Sequence, residues 1–190
     1  MIEVEVKLPI YRRSITERGL KEAGFEAGDL IEESDIYYTA GFHDFIKLDE
    51  ALRIRTSRNL TGQKAVSYLT FKGKKLDDIS MTRLELETMV EDGTVADRIL
   101  CALGFEPLFP VKKLRQYYHR GPVTACLDQV SELGSFLELE IQVDEETGRE
   151  EALSKISGIL SALGSDMSET TRRSYLSMLM KKKGILIDPA

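Results

Sequence analysis

The chain has 190 residues, with 26 Lys and Arg against 32 Asp and Glu and a formal net charge of -6. This length suits one domain with a hydrophobic core, and we predict a single domain over residues 1–190. The negative net charge excludes a global attraction to nucleic acid or to an anionic membrane surface. An anion site would therefore have to be built from locally clustered Lys and Arg.

Cysteine usage and hydropathy narrow the class further. Cys101 and Cys126 are far apart and lack a metal-binding spacing, which predicts reduced, buried thiols. No apolar run approaches the roughly 18 residues that a membrane span needs, and the N-terminus enters a strand without a leader-like segment. We expect a cytoplasmic protein with no membrane and no nucleic-acid partner.

The first predicted strand sets the pattern for the chain. Residues 2–8, Ile-Glu-Val-Glu-Val-Lys-Leu, place Glu3, Glu5 and Lys7 on one face and apolar side chains on the other. Similar alternation predicts further strands at 52–55, 67–72, 81–87, 111–115, 123–130 and 136–141, with strand character at 25–39.

Helix-period apolar spacing predicts four helices, at 11–23, 92–103, 147–163 and 168–183. Asp92 is the expected N-cap of the second helix, and Ile99, Leu100 and Leu103 form its expected apolar stripe. The two C-terminal helices, 147–183, belong to the same predicted domain. These helices need a sheet face on which to bury their apolar stripes.

The predicted strands carry charges of both signs in phase. The carboxylates are Glu3, Glu5, Glu85, Glu87, Asp128, Glu138 and Glu140. The bases are Lys7, Arg53, Arg55, Lys72, Arg83, Lys113 and Arg115. If helices cover the apolar faces, these charges must face one another. We therefore predict an α+β fold, mainly antiparallel β: a closed eight-stranded barrel or tunnel with a charged lumen and flanking helices.

Charges that face one another in a narrow interior have two explanations. They can neutralise each other in salt bridges, or they can serve a ligand that needs both signs. Arg and Lys suit phosphate oxygens, whereas clustered carboxylates suit hard cations such as Mg²⁺. An oligophosphate with one or two metal ions would satisfy the whole set, and ionisable clusters often mark functional sites.

The ordered motifs resemble the CYTH superfamily, the triphosphate tunnel metalloenzymes. They are Glu3-x-Glu5-x-Lys7, Leu52-Arg53-Ile54-Arg55, Leu69-Thr70-Phe71-Lys72, Arg83-x-Glu85-x-Glu87, Lys113-x-Arg115, Leu127-Asp128 and Gly134-x-Phe136-x-Glu138-x-Glu140. The stretch Asp35-Ile36-Tyr37-Tyr38 and the ending from Arg172 to Leu179 are similar to the class IV adenylyl cyclase branch.

The resemblance implies roles for individual residues. Divalent ions, Mg²⁺ or Mn²⁺ and two in number, would be held by Glu3, Glu5, Asp128, Glu138 and Glu140. Asp128 would hold either a metal-bound water or a neighbouring base. Triphosphate oxygens would be bound by Lys7, Arg53, Arg55, Lys72, Arg83, Lys113, Arg115 and Arg173. Among these residues the resemblance implies catalytic roles for Glu5, Lys72, Arg115 and Asp128.

The implied activity is phosphoryl transfer on a small triphosphate by a monomer or homodimer. The cyclase branch implies conversion of ATP to cyclic AMP and pyrophosphate. Hydrolysis of thiamine triphosphate or inorganic triphosphate, or non-catalytic binding of polyphosphate or nucleotide, are the alternatives. A cyclase needs adenine selectivity, for which Tyr38, Phe42 and Phe45 are stacking candidates.

Overall fold

The computed structural model describes residues 2–60, 62 and 64–185. Met1, Thr61, Gln63 and residues 186–190 lie outside the described residues, so both ends of the predicted 1–190 domain are outside them. The strands are β1 (Ile2–Ile10), β2 (Glu26–Thr39), β3 (Ala51–Asn59), β4 (Val66–Lys75), β5 (Arg83–Val90), β6 (Glu106–Pro107), β7 (Val111–Arg120), β8 (Val123–Val130) and β9 (Gly134–Val143). The helices are α1 (Arg13–Glu22), α2 (Gly93–Ala102), α3 (Arg149–Ala162) and α4 (Tyr175–Lys182).

Eight of these strands close into an antiparallel barrel. The order is β3-β4-β5-β1-β9-β8-β7-β2, and β2 pairs again with β3 to complete the circle. This confirms the predicted closed α+β barrel. The short β6 pairs with β2 outside the circle, and sequence reasoning missed it because two residues containing a proline carry no alternation.

The main hydrophobic core lies between the outer barrel face and helices α1 and α3. Val4 and Val6 of β1 and Leu139 of β9 are at most 1% exposed, and they belong to the same cluster as Leu20 of α1 and Ile156 of α3. These strand residues alternate with the charged ones, so covering them with helices turns the charged positions toward the barrel interior.

The seam between β1 and β5 is short. Within the described residues the two strands share two residue pairs, Ile2 with Leu84 and Glu3 with Arg83. Beyond them, the Met81 N–H donates to the Glu5 carbonyl at 2.8 Å and the Thr171 N–H donates to the Lys7 carbonyl at 2.7 Å. A loop and a segment from the C-terminal region therefore satisfy the edge of β1 that β5 leaves unpaired.

The last helix begins later than predicted. Residues 168–183 were expected to be helical, but α4 starts at Tyr175, where the Ser174 side chain caps it by accepting from the Ser177 N–H at 3.1 Å. Met167–Glu169 form a short 3-10 helix. The segment from Thr170 to Arg173 is not helical because it runs beside β1 and is tied to the β4–β5 connection. Arg172 donates to the carbonyls of Asp77 at 2.7 Å and Ser80 at 3.2 Å.

The apolar stripe predicted for α2 is wrong at two of its three residues. Ile99 and Leu103 are 55% and 64% exposed. The half-buried positions are Gly93, Ala96, Asp97 and Leu100. The helix is rotated because Asp97 meets the barrel, accepting a 2.7 Å hydrogen bond from the Tyr38 hydroxyl.

The two thiols differ in environment. Cys126 is buried on β8, as predicted, and burial raises the pKa of its thiol. Cys101 is exposed, which contradicts the prediction; it lies in the last turn of α2, with its Sγ 3.9 Å from Asp97 Oδ1. Across the described part of the chain, every helix falls short of the length and hydropathy that a membrane span requires.

We predict that Ile156→Ala lowers the free energy of unfolding by about 2–5 kcal/mol, since it empties a fully buried position under α3. The matched change Ile99→Ala on α2 should cost about 0.5 kcal/mol or less. Urea denaturation followed by circular dichroism measures both. Equal losses would mean that α2 buries its stripe after all.

Candidate active site in the barrel lumen

Strand register brings opposite charges next to each other inside the barrel. Side chains of directly opposed residues in an antiparallel pair point to the same face, so the register fixes which charges meet. Five opposed pairs also form ion pairs: Lys7 with Glu138, Arg115 with Asp128, Lys113 with Glu33, Arg55 with Asp35, and Lys72 with Glu85. Glu3 is likewise opposite Arg83. The register therefore places opposite charges side by side in the lumen.

One arc of the barrel presents cations in front of buried carboxylates. Arg55 donates from Nε and Nη2 to Asp35 at 2.7 and 2.8 Å, and Arg115 donates likewise to Asp128 at 2.7 Å for each bond. Asp35 and Asp128 are at most 1% exposed. Burial alone would raise the pKa of Asp35, but Arg55 and Arg53 hold it well below its usual range. These carboxylates fix the direction of the arginines.

Sequence reasoning left Glu33 and Asp35 out of the charged set. Glu33 is 2% exposed and lies 3.2 Å from both Lys113 Nζ and Arg55 Nη1. Burial opposes ionisation, yet Arg55 and Lys113 lower the pKa of Glu33 to about 2. The signal was available, because the two residues are in phase on β2 and Asp35 stands within the motif that resembles the cyclase branch.

The opposite arc, formed by β1, β9 and β5, is rich in carboxylates that face the cavity. Glu5 is directly opposite Glu140, a pair of like charge. Burial and the neighbouring Glu3, Glu138 and Glu5 carboxylates raise the pKa of Glu140 to about 8, against the opposing effect of Arg115. Negative charge is therefore in local excess at this wall.

Two lysines partly offset that excess. Lys7 Nζ lies 3.3 Å from Glu5 and 2.9 Å from Glu138, and Lys72 Nζ lies 3.0 Å from Glu3 and 2.7 Å from Glu85. Burial would lower the pKa of each ammonium, but the carboxylates raise both above the usual lysine range. Both lysines are therefore cationic at neutral pH.

The remaining predicted cations occupy different positions. Arg53 lies 3.2 Å from Asp35 and 3.7 Å from Glu85, between the two arcs. Arg83 donates to the carbonyls of Gly73 and Met81, each at 3.3 Å, instead of pairing with the glutamates of its own strand. Arg173 lies in the segment before α4 and lines the same cavity.

A cavity of about 840 Å³ runs through this charged interior. Of the site residues predicted from sequence, the following line it: Glu3, Glu5, Lys7, Arg53, Arg55, Lys72, Arg83, Lys113, Arg115, Glu138, Glu140 and Arg173. Asp128 is 0% exposed and sits behind Arg115, so in this structure it holds a neighbouring base, the second of its two expected roles. Tyr37, Tyr117 and Tyr175 also line the cavity and were missed, because aromatic residues carried no weight in the charge pattern.

The three residues predicted to stack on a base differ in whether they line the cavity. The Tyr38 hydroxyl binds Asp97, and the Phe42 ring packs edge-on against Phe105 with a 5.3 Å centroid distance. Neither residue is part of the cavity lining. Phe45 does line the cavity, beside the half-exposed Ile46.

The donor chemistry of the carboxylate arc fits a hard divalent cation. Glu3, Glu5 and Glu140 offer oxygen ligands from two adjacent strands, and burial together with the neighbouring carboxylates raises the pKa of Glu140. Among the described residues no three acidic, imidazole or thiol side chains already converge on one point. The carboxylates turn instead toward Lys7, Lys72 and Arg115.

The sequence matches the CYTH domain over residues 1–175. The chain belongs to the CYTH domain family. Members of this superfamily are metal-dependent and act on triphosphates, which agrees with a lumen that carries both cationic and carboxylate walls.

Relatives cover nearly all of the chain. A Methanocaldococcus jannaschii protein provisionally named adenylate cyclase, MJ0240, is 35% identical over 94% of this chain and 98% of its own length. The Pyrococcus horikoshii protein PH1819 is 38% identical in sequence, and its structure superposes with a TM-score of 0.86. The match covers 95% of this chain and 99% of that one.

A more distant relative shares the fold. The structure of HpAC1 from Hippeastrum, a provisional adenylyl cyclase described as revealing a dominant triphosphatase activity, is 17% identical with a TM-score of 0.66. The match covers 98% of this chain and 97% of that one.

The stability of the metal-free protein should fall with pH through Glu140. Its folded-state pKa of about 8 exceeds the ordinary value of 4.5, so the folded state holds a proton that the unfolded state has lost between those values. Glu140→Gln removes this penalty. Relative to wild type, the variant should melt at the same temperature near pH 4 and at progressively higher temperature toward pH 9.

Thermal melts in EDTA from pH 4 to 9 measure this difference. The change Glu32→Gln, at an exposed position of β2, is the control and should leave the pH profile unaltered. A melting-temperature difference that does not grow with pH would show that Glu140 ionises normally.

Proposed function

We propose that this protein is a class IV-like adenylyl cyclase that converts ATP to cyclic AMP and pyrophosphate. The observation that carries the proposal is the segregation of charge across the lumen. Arg and Lys of β7 and β3, backed by buried carboxylates of β2 and β8, face carboxylates on β1, β9 and β5. A polyphosphate with divalent ions needs both walls at once. The branch resemblance of the motifs and the M. jannaschii relative support the cyclase.

The cationic wall would bind and orient the triphosphate. Arg55 and Arg115 are already held in fixed directions by buried carboxylates, so little conformational entropy remains to be lost on binding. Lys7 on the opposite arc and Lys72 on the adjoining strand β4 would contact phosphate oxygens as point charges. Enclosure within the barrel would keep bulk water from the reacting phosphorus and strengthen these contacts.

The carboxylate wall would hold the divalent ions, Mg²⁺ or Mn²⁺. Glu3, Glu5 and Glu140 are the proposed primary ligands, with Glu138 beside them. When bound there, such ions neutralise phosphate oxygens and acidify a coordinated hydroxyl. The protein needs no side-chain nucleophile for this chemistry, because the ribose 3′-hydroxyl of ATP would attack the α-phosphorus and pyrophosphate would leave.

Hydrolysis of thiamine triphosphate or inorganic triphosphate is the second candidate. It is favoured by the activity described for the Hippeastrum protein of the same fold. It is also consistent with a lumen whose charged groups address phosphates and not a base. The same cations and carboxylates would serve, with water attacking the terminal phosphorus. We rank a non-catalytic binder last, because both Glu-x-Glu pairs face the cavity.

The deciding experiment is a product assay on the purified protein with Mg²⁺ or Mn²⁺. ATP, thiamine triphosphate and inorganic triphosphate are presented separately, and the products are resolved by chromatography. Cyclic AMP with pyrophosphate establishes the cyclase. Orthophosphate without cyclic AMP establishes the hydrolase, and the absence of any product with retained triphosphate binding leaves the binder.

Glu5→Gln should abolish turnover and leave the fold intact. Glu5 lies at the centre of the carboxylate arc opposite Glu140, and the amide keeps its shape while removing a charged metal ligand. Turnover and circular dichroism are measured together, with Glu32→Gln as the control. Full activity in the Glu5 variant would remove this residue from the metal site.

Lys72→Met should raise the KM for the triphosphate substrate at least about tenfold, because a charge-assisted hydrogen bond to phosphate contributes roughly 1.5–3 kcal/mol. The matched control is Lys74→Met, which removes an exposed lysine from the same strand. Steady-state kinetics at fixed ionic strength test the pair. Similar KM values for both variants would place the triphosphate elsewhere.

A further inference from the structure

Tyr175 connects the last helix to the charged lumen. Its side chain is 5% exposed, lines the cavity and packs edge-on against Phe136 with a 5.1 Å centroid distance. Its hydroxyl donates to Asp128 Oδ2 at 3.0 Å. No charge pattern in the sequence pointed to this residue.

The chain before α4 delivers Tyr175 to this place. The Thr171 N–H is bonded to the Lys7 carbonyl, and Arg172 is bonded to the β4–β5 connection. Ser174 then caps α4, which makes Tyr175 the first residue of the helix. The segment that carries the ring is therefore anchored both to β1 and to the β4–β5 connection, on the two sides of the seam between β1 and β5.

The hydroxyl contacts the carboxylate that directs Arg115. Asp128 accepts two hydrogen bonds from Arg115, and its Oδ2 also lies 3.7 Å from Lys113 Nζ. Burial and the nearby Glu138 and Asp128 carboxylates raise the pKa of Tyr175 well above its usual range, so the phenol remains a hydrogen-bond donor at neutral pH. Tyr175 and Lys113 thus compete for the same carboxylate oxygen.

The ring contacts two of the proposed phosphate-binding cations. Lys7 Nζ lies 4.3 Å from the ring centroid and Lys113 Nζ lies 5.3 Å from it. Both distances are within the range of cation–π attraction. The ring contacts both ammonium groups in addition to their carboxylate partners, Glu138 for Lys7 and Glu33 for Lys113.

We propose that Tyr175 is a positioning residue that keeps Lys113 and Lys7 available to the triphosphate. Its hydroxyl occupies Asp128 Oδ2, so Lys113 does not close onto that carboxylate, and its ring holds both ammonium groups at the cavity wall. The inference rests on the proposed function in one respect, that the ligand is a triphosphate. It assigns a binding role to the C-terminal segment.

The test is Tyr175→Phe, which keeps the ring and its contact with Phe136 and removes the hydroxyl. Truncation to Ala would open a cavity at a buried position and confuse the outcome. The dissociation constant of inorganic triphosphate, measured by calorimetry in EDTA, should rise about 5- to 10-fold. In turnover assays with Mg²⁺, the KM of Tyr175→Phe for the triphosphate substrate should rise similarly, whereas its kcat should change less than about twofold.

Tyr38→Phe is the matched control. It removes a part-buried tyrosine–aspartate hydrogen bond outside the cavity lining. Thermal melts show whether both variants remain folded. An unchanged affinity in Tyr175→Phe, or an equal loss in both variants, would overturn the positioning role.

A double-mutant cycle with Lys113→Met separates positioning from a general structural effect. If Tyr175 acts through Lys113, Tyr175→Phe adds less than about a twofold further loss of affinity in the Lys113→Met background. Additive losses would overturn the proposed route. If the wild-type protein neither binds nor turns over any triphosphate, the proposed function itself is refuted. This outcome concerns the wild type and is therefore distinct from any loss seen in the variants.

Discussion

Burial of many ionised groups inside one barrel is the constraint on which the structure depends. An uncompensated charge in such an interior costs several kcal/mol, and removing one partner of a buried pair typically costs about 3–5 kcal/mol. The strand register meets this constraint by placing Lys7 beside Glu138, Lys113 beside Glu33 and Arg115 beside Asp128. A one-residue slip would turn these charges toward the helices and the apolar residues into the lumen. The charged interior and the hydrophobic core therefore specify the same register.

The pairing of buried carboxylates with cations is uneven around the barrel, and this difference distinguishes positioning groups from candidate metal ligands. Asp35 and Asp128 are each bound by a bidentate arginine and withdrawn from the cavity, which is an arrangement that serves positioning. The Glu5 and Glu140 pair is different, because two carboxylates are opposed and the pKa of Glu140 rises to about 8. Carboxylates that cluster at a cavity wall are the oxygen donors that a hard divalent cation prefers.

The alternation of charged and apolar residues was enough to predict the closed barrel and the lining of its lumen, because the two-residue period of a strand is local. Features that depend on distant contacts were not predictable in that way. The rotation of α2 follows from the hydrogen bond between Tyr38 and Asp97, and the late start of α4 follows from the bond between Thr171 and Lys7. The role of Asp128 is of the same kind. Its spacing placed it in the lumen, but its position behind Arg115 and beneath Tyr175 is set by three separate elements.

The two candidate reactions differ in which phosphorus lies at the carboxylate arc, and the lumen charges do not distinguish α from terminal phosphorus. Which phosphorus lies there would depend on the residues that hold the organic end of the substrate. Phe45, Ile46 and Tyr37 line the cavity, and Leu176 and Met180 of α4 line it as well. A base held by such apolar side chains would fix how far the triphosphate enters, whereas inorganic triphosphate has no group to stop it. On the proposed function, these apolar side chains would decide between the two reactions, and Glu3, Glu5 and Lys7 would serve both.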